Sequence, residues 1–327
     1  MTRKQRTILA TVTLCGTALT VFGLWVWRLD RQQQLDVALI AAIKRDDTTA
    51  ALSALQQGAD ANAGDLPKRK WDIWKQLEDR WRRRPATPQP EASTALLVLL
   101  AQGWYRQEEF IPNVHGENIT IARALLSRGA TTTARSADGL TPLLCAVLKG
   151  YPKTVNLLLD AGTNVEASDS DGTTPLILAT LEHRPDIVAL LLSRHANVNG
   201  RDKFGHTALM FATDSENIRV EECLLAGCPD VNVVDDGGNS ALMFAVTTST
   251  PSPAIVRSLL NLHANALEKN AYGETPLSRN RYEQGQRRNA YTEQLRDIHR
   301  RRQEISAMLS EAMNTAASHK WSRQRHQ

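Results

Sequence analysis

The stretch Asp138-Gly139-Leu140-Thr141-Pro142-Leu143 returns 33 residues later as Asp171-Gly172-Thr173-Thr174-Pro175-Leu176. Two further copies, at 204–209 and 237–242, keep the same spacing, and a fifth at 272–277 follows after 35 residues. In each copy the glycine tolerates the positive φ of a tight turn, and an Asp or Asn beside it in three of the copies, at 138, 171 and 239, favours that turn. The following Thr or Ser can cap a helix, and a proline in the first helical turn loses no hydrogen bond. Each copy therefore predicts a turn that leads directly into a helix.

Each copy is followed by two apolar stretches of helical spacing, and the second ends in a leucine-rich run such as Leu157-Leu158-Leu159. One such helix pair cannot bury its apolar stripe alone, so neighbouring pairs must stack and share a core. A period of 33 residues, with Gly-x-Thr-Pro-Leu before the first helix and a leucine pair in the second, resembles the ankyrin repeat. The resemblance implies an all-α fold, an ankyrin-repeat solenoid of about seven helix-turn-helix-hairpin units.

The boundaries of the units follow from the positions of the copies. An N-terminal capping repeat is expected at 35–63, because two helical stretches occur there without the Gly-x-Thr-Pro-Leu sequence. A basic, tryptophan-rich insertion occupies 64–92. In the last unit, apolar residues between 291 and 308 recur at helical spacing with arginines assigned to the opposite face, and 313–327 is predicted to be a disordered tail. The repeats are expected at 93–135, 136–168, 169–201, 202–234, 235–270 and 271–312.

The N-terminal segment predicts one transmembrane helix. A short basic tail, 1–6, precedes 21 uncharged residues at 7–27, which is about the length that crosses a bilayer core. Trp25 and Trp27 lie where an interfacial aromatic belt is expected, and a stalk follows at 28–34. A cleavable signal peptide is the alternative, but its apolar region would be shorter. The protein is therefore expected to be a single-pass signal-anchor membrane protein. The basic residues before the span favour a cytoplasmic N-terminus, which would place the repeats in the periplasm. Basic residues also follow the span, so the two flanks differ little in charge.

The formal net charge of +4 conceals an uneven distribution. Residues 85–278 contain 13 basic and 21 acidic residues, whereas 64–84 contains 8 basic and 4 acidic and 279–327 contains 11 basic and 5 acidic. An acidic repeat region argues against nucleic acid as a ligand, because binding the phosphate backbone needs clustered positive charge. It favours a protein partner with a basic contact surface.

No group of residues predicts catalysis, a cofactor or a metal site. The recurring aspartates occupy turn positions, where their hydrogen bonds build the turn. His195 and His263 occupy helix ends that favour a left-handed residue, and they lie two repeats apart, too far to share a metal ion. Cys223 and Cys228 are five residues apart, and whether they pair is left open. We predict that the protein is not an enzyme.

The remaining prediction is binding through the hairpin tips and first helices, the surface that ankyrin repeats use. Phe204 is the expected anchor, since an exposed aromatic side chain is a typical interface group. The alternative is that its ring packs on the neighbouring hairpin. Matching the chain to the family pattern gives the candidate set Ala137, Asp138, Ser170, Asp171, Lys203, Phe204, His206, Asp214, Asp236 and Asn239.

The insertion supports a second hypothesis. Trp71, Trp74 and Trp81 share one face of a predicted basic helix, which suits the surface of an anionic membrane. Equally, this face could pack on the repeats as an elaborated cap. The functional hypotheses are thus a membrane-tethered protein that binds a partner, as an inhibitor, immunity or support protein, and a structural or lipid-sensing element that docks on the membrane.

Overall fold

Helices joined by short turns make up the chain in a computed structural model that describes residues 24, 26–64, 94–101, 117–136, 139–213, 218–286 and 293–324. Within these ranges there are fourteen helices and no extended strand, which confirms the all-α fold class. The helices are α1 (26–44), α2 (Thr48–Gln56), α3 (Ala95–Ala101), α4 (Ile119–Ser127), α5 (Pro142–Lys149), α6 (Pro152–Asp160), α7 (Pro175–Leu181), α8 (Pro185–Ser193), α9 (Ala208–Ala212), α10 (Ile218–Ala226), α11 (Ala241–Thr247), α12 (Pro253–Asn261), α13 (Pro276–Gln286) and α14 (Glu293–Gln324).

The starts of α5 and α7 are formed as the repeated sequence predicts. Thr141 Oγ1 accepts a hydrogen bond from the backbone N–H of Leu144 at 3.3 Å, and Thr174 Oγ1 accepts one from Ile177 at 3.3 Å. Pro142 and Pro175 occupy the first helical position, where no N–H is needed. The left-handed helix ends are confirmed too, since His195 and His263 have φ values of 62° and 64°.

The first of two compact units, 1–137, contains α1 to α4. Asn118 caps α4, accepting from the N–H of Ile121, and its amide nitrogen donates to Asp46 Oδ1 at 2.8 Å. Below the helices, Asn62 Oδ1 accepts from the N–H of Thr131 at 2.6 Å. These bonds join residues about seventy positions apart, so they hold α1–α2 against α3–α4 across the segment 65–93.

The second unit, 138–327, contains α5 to α14. The first helices of successive pairs, α5, α7, α9, α11 and α13, pack side by side, and the second helices α6, α8 and α10 form a parallel row. Their facing residues are fully buried aliphatic side chains such as Leu143, Val155 and Leu191. The core lies between the two rows, as the shared apolar stripe predicts.

The C-terminal helix differs from its prediction in two ways. It continues to Gln324, where the sequence predicted a disordered tail from 313, and Ala312 and Met313 pack on the core formed with α12. Arg302, predicted to lie on the exposed face, is 1% exposed. Arg302 lies three residues before buried Ile305, on the same face of α14. Its guanidinium donates to the carbonyl oxygens of Val246 at 2.8 Å and Thr248 at 2.7 Å.

The predicted membrane segments lie almost wholly outside the described residues. Of the span 7–27, the structure describes only residues 24, 26 and 27, which are helical. The predicted stalk, 28–34, is part of α1. Trp27 is exposed, and the guanidinium of Arg31 lies 5.5 Å from its ring centroid. Trp25, Trp71, Trp74 and Trp81 fall outside the description. None of the helices in the described ranges is both long and apolar enough to cross a membrane.

Candidate partner-binding surface

The hairpin tips of the second unit form a row linked by backbone hydrogen bonds. The N–H of Lys203 donates to the carbonyl of Asp171 at 2.9 Å, and the N–H of Asp236 donates to the carbonyl of Phe204 at 3.0 Å. A third bond of the same kind joins Ala271 to Gly237 at 2.8 Å. Because each bond spans one repeat, the tips are held in register with one another. Side chains at these tips are therefore presented on a rigid backbone.

The recurring turn residues are occupied in building this row. Oδ1 of Asp169, Asp202 and Asn270 each accepts two backbone N–H groups, from the residues two and four positions later, at 2.8 to 3.0 Å. Asp235 accepts from the N–H of Asn239 at 2.7 Å. Burial by itself would raise the pKa of Asp202, but hydrogen bonds from His206 and Phe204 outweigh it and lower the pKa. These side chains therefore stabilise the turns.

His206 lies at the centre of an aromatic cluster. Its ring centroid is 5.8 Å from that of Phe204, 5.3 Å from Phe211 and 5.6 Å from Phe244, distances typical of favourable edge or tilted contacts. The imidazole is oriented by Asp202, whose Oδ2 lies 2.9 Å from Nδ1. The predicted site residue His206 thus positions rings from two adjacent repeats rather than standing alone as a contact.

Phe204 is both packed and accessible. Its ring contacts His206 of its own hairpin, yet 53% of the residue remains exposed. The ammonium of Lys203 lies 4.9 Å from the ring centroid and also pairs with Asp171. The ring thus rests on His206 of its own hairpin, whereas the alternative predicted packing on the neighbouring hairpin, and its outer half is available to a partner.

The other predicted site residues divide into three groups. Ser170, Asp171 and Asp236 are exposed, and Asp236 lies 3.8 Å from the guanidinium of Arg201. Asn239 is half-buried and directs its amide nitrogen to the carboxylate of Asp235 at 3.1 and 3.2 Å. Outside the described residues are Ala137, Asp138 and Asp214.

A cavity beside the row was not predicted. It has a volume of about 250 Å³ and lies between α11, α13 and the two hairpins that precede them. Its wall includes the ring of Phe244, and its rim includes Tyr272, which is 83% exposed. Glu274 and Arg279 supply its charges. A signal for Tyr272 exists in the sequence, since it precedes the fifth turn glycine just as Phe204 precedes the third.

The cysteines carry no disulfide within the described ranges. Cys145 is buried, Cys223 is half-buried and Cys228 is exposed, and these three described residues form no disulfide. Cys228 also adopts a left-handed conformation, with φ at 54°, as a helix-ending residue. In this structure Cys223 and Cys228 form no disulfide with each other.

Comparison with known proteins identifies ankyrin repeats in residues 114–270. The family model described as ankyrin repeats matches the chain in three copies, over residues 114–202, 163–235 and 184–270. A search of curated proteins found no match to the chain. Residues 114–270 therefore belong to the ankyrin-repeat family, as the repeated sequence predicted. Ankyrin repeats form protein–protein interaction domains and generally serve as non-enzymatic scaffolds, so this region is an interaction domain.

Proposed function

We propose that the protein is a membrane-tethered ankyrin-repeat protein that holds a protein partner, as an inhibitor, immunity or support protein. The observation that carries the proposal is Phe204, an aromatic ring more than half exposed at a fixed hairpin tip. Aromatic side chains of this kind carry a large share of the binding energy of interfaces. The tip is ordered before any partner arrives, which reduces the conformational entropy lost on binding.

Charge on the same surface supports a basic partner. Asp171 and Asp236 are exposed on either side of Phe204 along the row, and the region 85–278 carries eight more acidic than basic residues. Complementary charge speeds encounter and disfavours acidic competitors. Lys203 and Arg201 offset part of this charge locally, so the preference arises from the wider surface as well as from the two exposed carboxylates.

The tether is proposed from the sequence of the N-terminus. Its 21 uncharged residues and flanking basic residues support a single-pass anchor, with the repeats on the periplasmic side. Washed membranes should retain the full chain in high salt and release a form that lacks residues 1–30. Protease added to intact cells with a permeabilised outer membrane should digest the repeats; protection of the repeats would place them in the cytoplasm instead.

Partner binding is tested with a matched pair of variants. Phe204→Ala alters the tip, whereas Leu262→Ala removes an apolar side chain of similar exposure, 46%, at the end of α12 away from the row. Each full-length variant is cross-linked in its native membrane and the attached proteins are identified. We expect one partner to be captured by the wild type and Leu262→Ala but not by the tip variant. Equal capture by all three would contradict the proposed surface.

A further inference from the structure

The cavity between α11 and α13 has the composition of a pocket for one long, positively charged side chain. Its apolar side is formed by Phe244 and by Tyr272 at the rim, and its polar side by Asn239, Asn270, Glu274 and Arg279. A volume of about 250 Å³ exceeds that of a single side chain and is far smaller than a folded element. In the row of hairpin tips, Gly237 stands between the aromatic residues Phe204 and Tyr272 and carries no side chain.

The carboxylate of Glu274 is ionised but only loosely paired. A hydrogen bond from Asn270, at 3.0 Å, is the main reason that the pKa of Glu274 is lowered, against the opposing effect of burial. Arg279 lies 3.3 and 3.4 Å from its two oxygens, longer than the 2.7–2.9 Å of a strong charge-assisted bond. The guanidinium of Arg279 is shared with Glu283 at 3.4 Å and with the ring of Tyr282, 5.5 Å from its centroid. Glu274 therefore keeps the capacity to accept a second, shorter pair of hydrogen bonds.

The charges around the cavity select the sign of the occupant. Glu274 is the carboxylate of the lining, and two more lie one contact behind it: Asp235, which accepts from the amide of Asn239, and Glu283, 3.4 Å from Arg279. The charged group of opposite sign in the lining is the guanidinium of Arg279. A cation entering here gains from this excess, and an aromatic wall favours a planar cation because its face can stack on the rings. Arginine combines both properties and can pair with a carboxylate through two parallel hydrogen bonds.

We propose that this cavity binds an arginine side chain from an extended segment of the protein partner. The segment passes over Gly237 between Phe204 and Tyr272, and the guanidinium reaches Glu274 while its plane lies against Phe244 and Tyr272. This inference rests on the proposed function, because it names the anchor of the partner that the hairpin row binds.

The test uses the full-length protein in detergent micelles and a phage-displayed library of random 12-residue peptides. Peptides whose binding is weakened by Phe204→Ala are retained and synthesised with each arginine, in turn, replaced by citrulline, which has nearly the same shape and no charge. We expect one arginine whose replacement weakens binding about tenfold or more, as the loss of a charge-assisted pair predicts. The same replacement should change binding less than about twofold in Glu274→Gln, because the paired carboxylate is then already lost.

Two further variants distinguish loss of the pocket from loss of folding. Tyr272→Ala removes a side chain that is 83% exposed, and it should reduce the affinity of the arginine peptide without changing the circular dichroism. Glu182→Gln, on the end of α7 away from the cavity, should leave the affinity unchanged. Retained peptides that lack a coupled arginine would overturn the arginine pocket while leaving the proposed function in place. A library that yields no peptide sensitive to Phe204→Ala would contradict the proposed function itself, and the pocket with it.

Discussion

Replacing Gly172 with alanine tests whether contacts between hairpins stabilise the row of tips. Gly172 has φ of 77°, and a Cβ built on it would lie 2.9 Å from the backbone nitrogen of Lys203 and 3.3 Å from the carbonyl carbon of Asp202. Both atoms belong to the next hairpin, so the substitution must push the hairpins apart. The bond most directly affected is the one from the Lys203 N–H to the Asp171 carbonyl.

The expected loss has two parts. An L-residue in the left-handed region costs roughly 1–2 kcal/mol, and loss of one backbone hydrogen bond costs about 0.5–1.5 kcal/mol. Gly172→Ala should therefore lower the free energy of unfolding by about 1.5–3.5 kcal/mol. Gly162→Ala is the matched control, because Gly162 has nearly the same φ, 81°, and its Cβ would meet no atom within 4 Å. It should show only the backbone part, about 1–2 kcal/mol.

Urea unfolding followed by circular dichroism measures the two losses. Native-state hydrogen exchange at the Lys203 amide locates the effect, because repeats of a solenoid can open separately. We expect Gly172→Ala to be the less stable variant and to accelerate exchange at Lys203, while Gly162→Ala leaves that amide protected. Equal losses in the two variants, with unchanged exchange at Lys203, would show that contacts between hairpins contribute nothing measurable.

Three further predictions follow from buried groups and charge. Arg302→Met should lower the free energy of unfolding by on the order of 3 kcal/mol, because the buried carbonyl oxygens of Val246 and Thr248 lose their donor; an unchanged urea midpoint would contradict this. Burial, with a smaller effect of the Glu222 charge, raises the pKa of Glu221 to about 7 from 4.5, so the folded state binds the proton more tightly. Stability should therefore fall as the pH rises from about 4.5 to about 7, and Glu221→Gln should remove that fall in thermal melts; a parallel fall in the variant would exclude Glu221 as its source. The association rate of a basic partner should decrease as salt rises above 0.15 M, where the Debye length is about 8 Å, and a rate independent of salt would assign the acidic residues to solubility alone.

The local features of the fold were predictable because they depend on neighbours in sequence. Thr141 and Thr174 cap their helices through hydrogen bonds that reach only three residues ahead. His195 and His263 adopt positive φ because the chain must leave the helix at those positions. The helix α14 extends to Gln324, where the sequence predicted a disordered tail from 313, and its partly buried Met313 packs on the core.

For the proposed binding surface, the sequence could predict which residues lie at the hairpin tips. Phe204 was expected at a tip because of its position in the repeat, and the structure places it there. The role of His206 was not predictable, because its three aromatic neighbours include Phe244, 38 residues away. The cavity could not be derived either, since it exists only where two hairpins and two helices meet around Phe244, Tyr272 and Glu274.

The sequence by itself determined the repeat, its period and the starts of the helices, because turn glycines, capping hydroxyls and apolar spacing act within a few residues. Tertiary structure alone decided which repeats share an aromatic cluster, which carboxylate keeps spare hydrogen-bonding capacity and why an arginine of α14 is buried. Those properties arise from contacts between residues a repeat or more apart, as when Arg302 reaches the carbonyl of Val246. Packing between repeats sets such distances, and the residue types alone do not encode them.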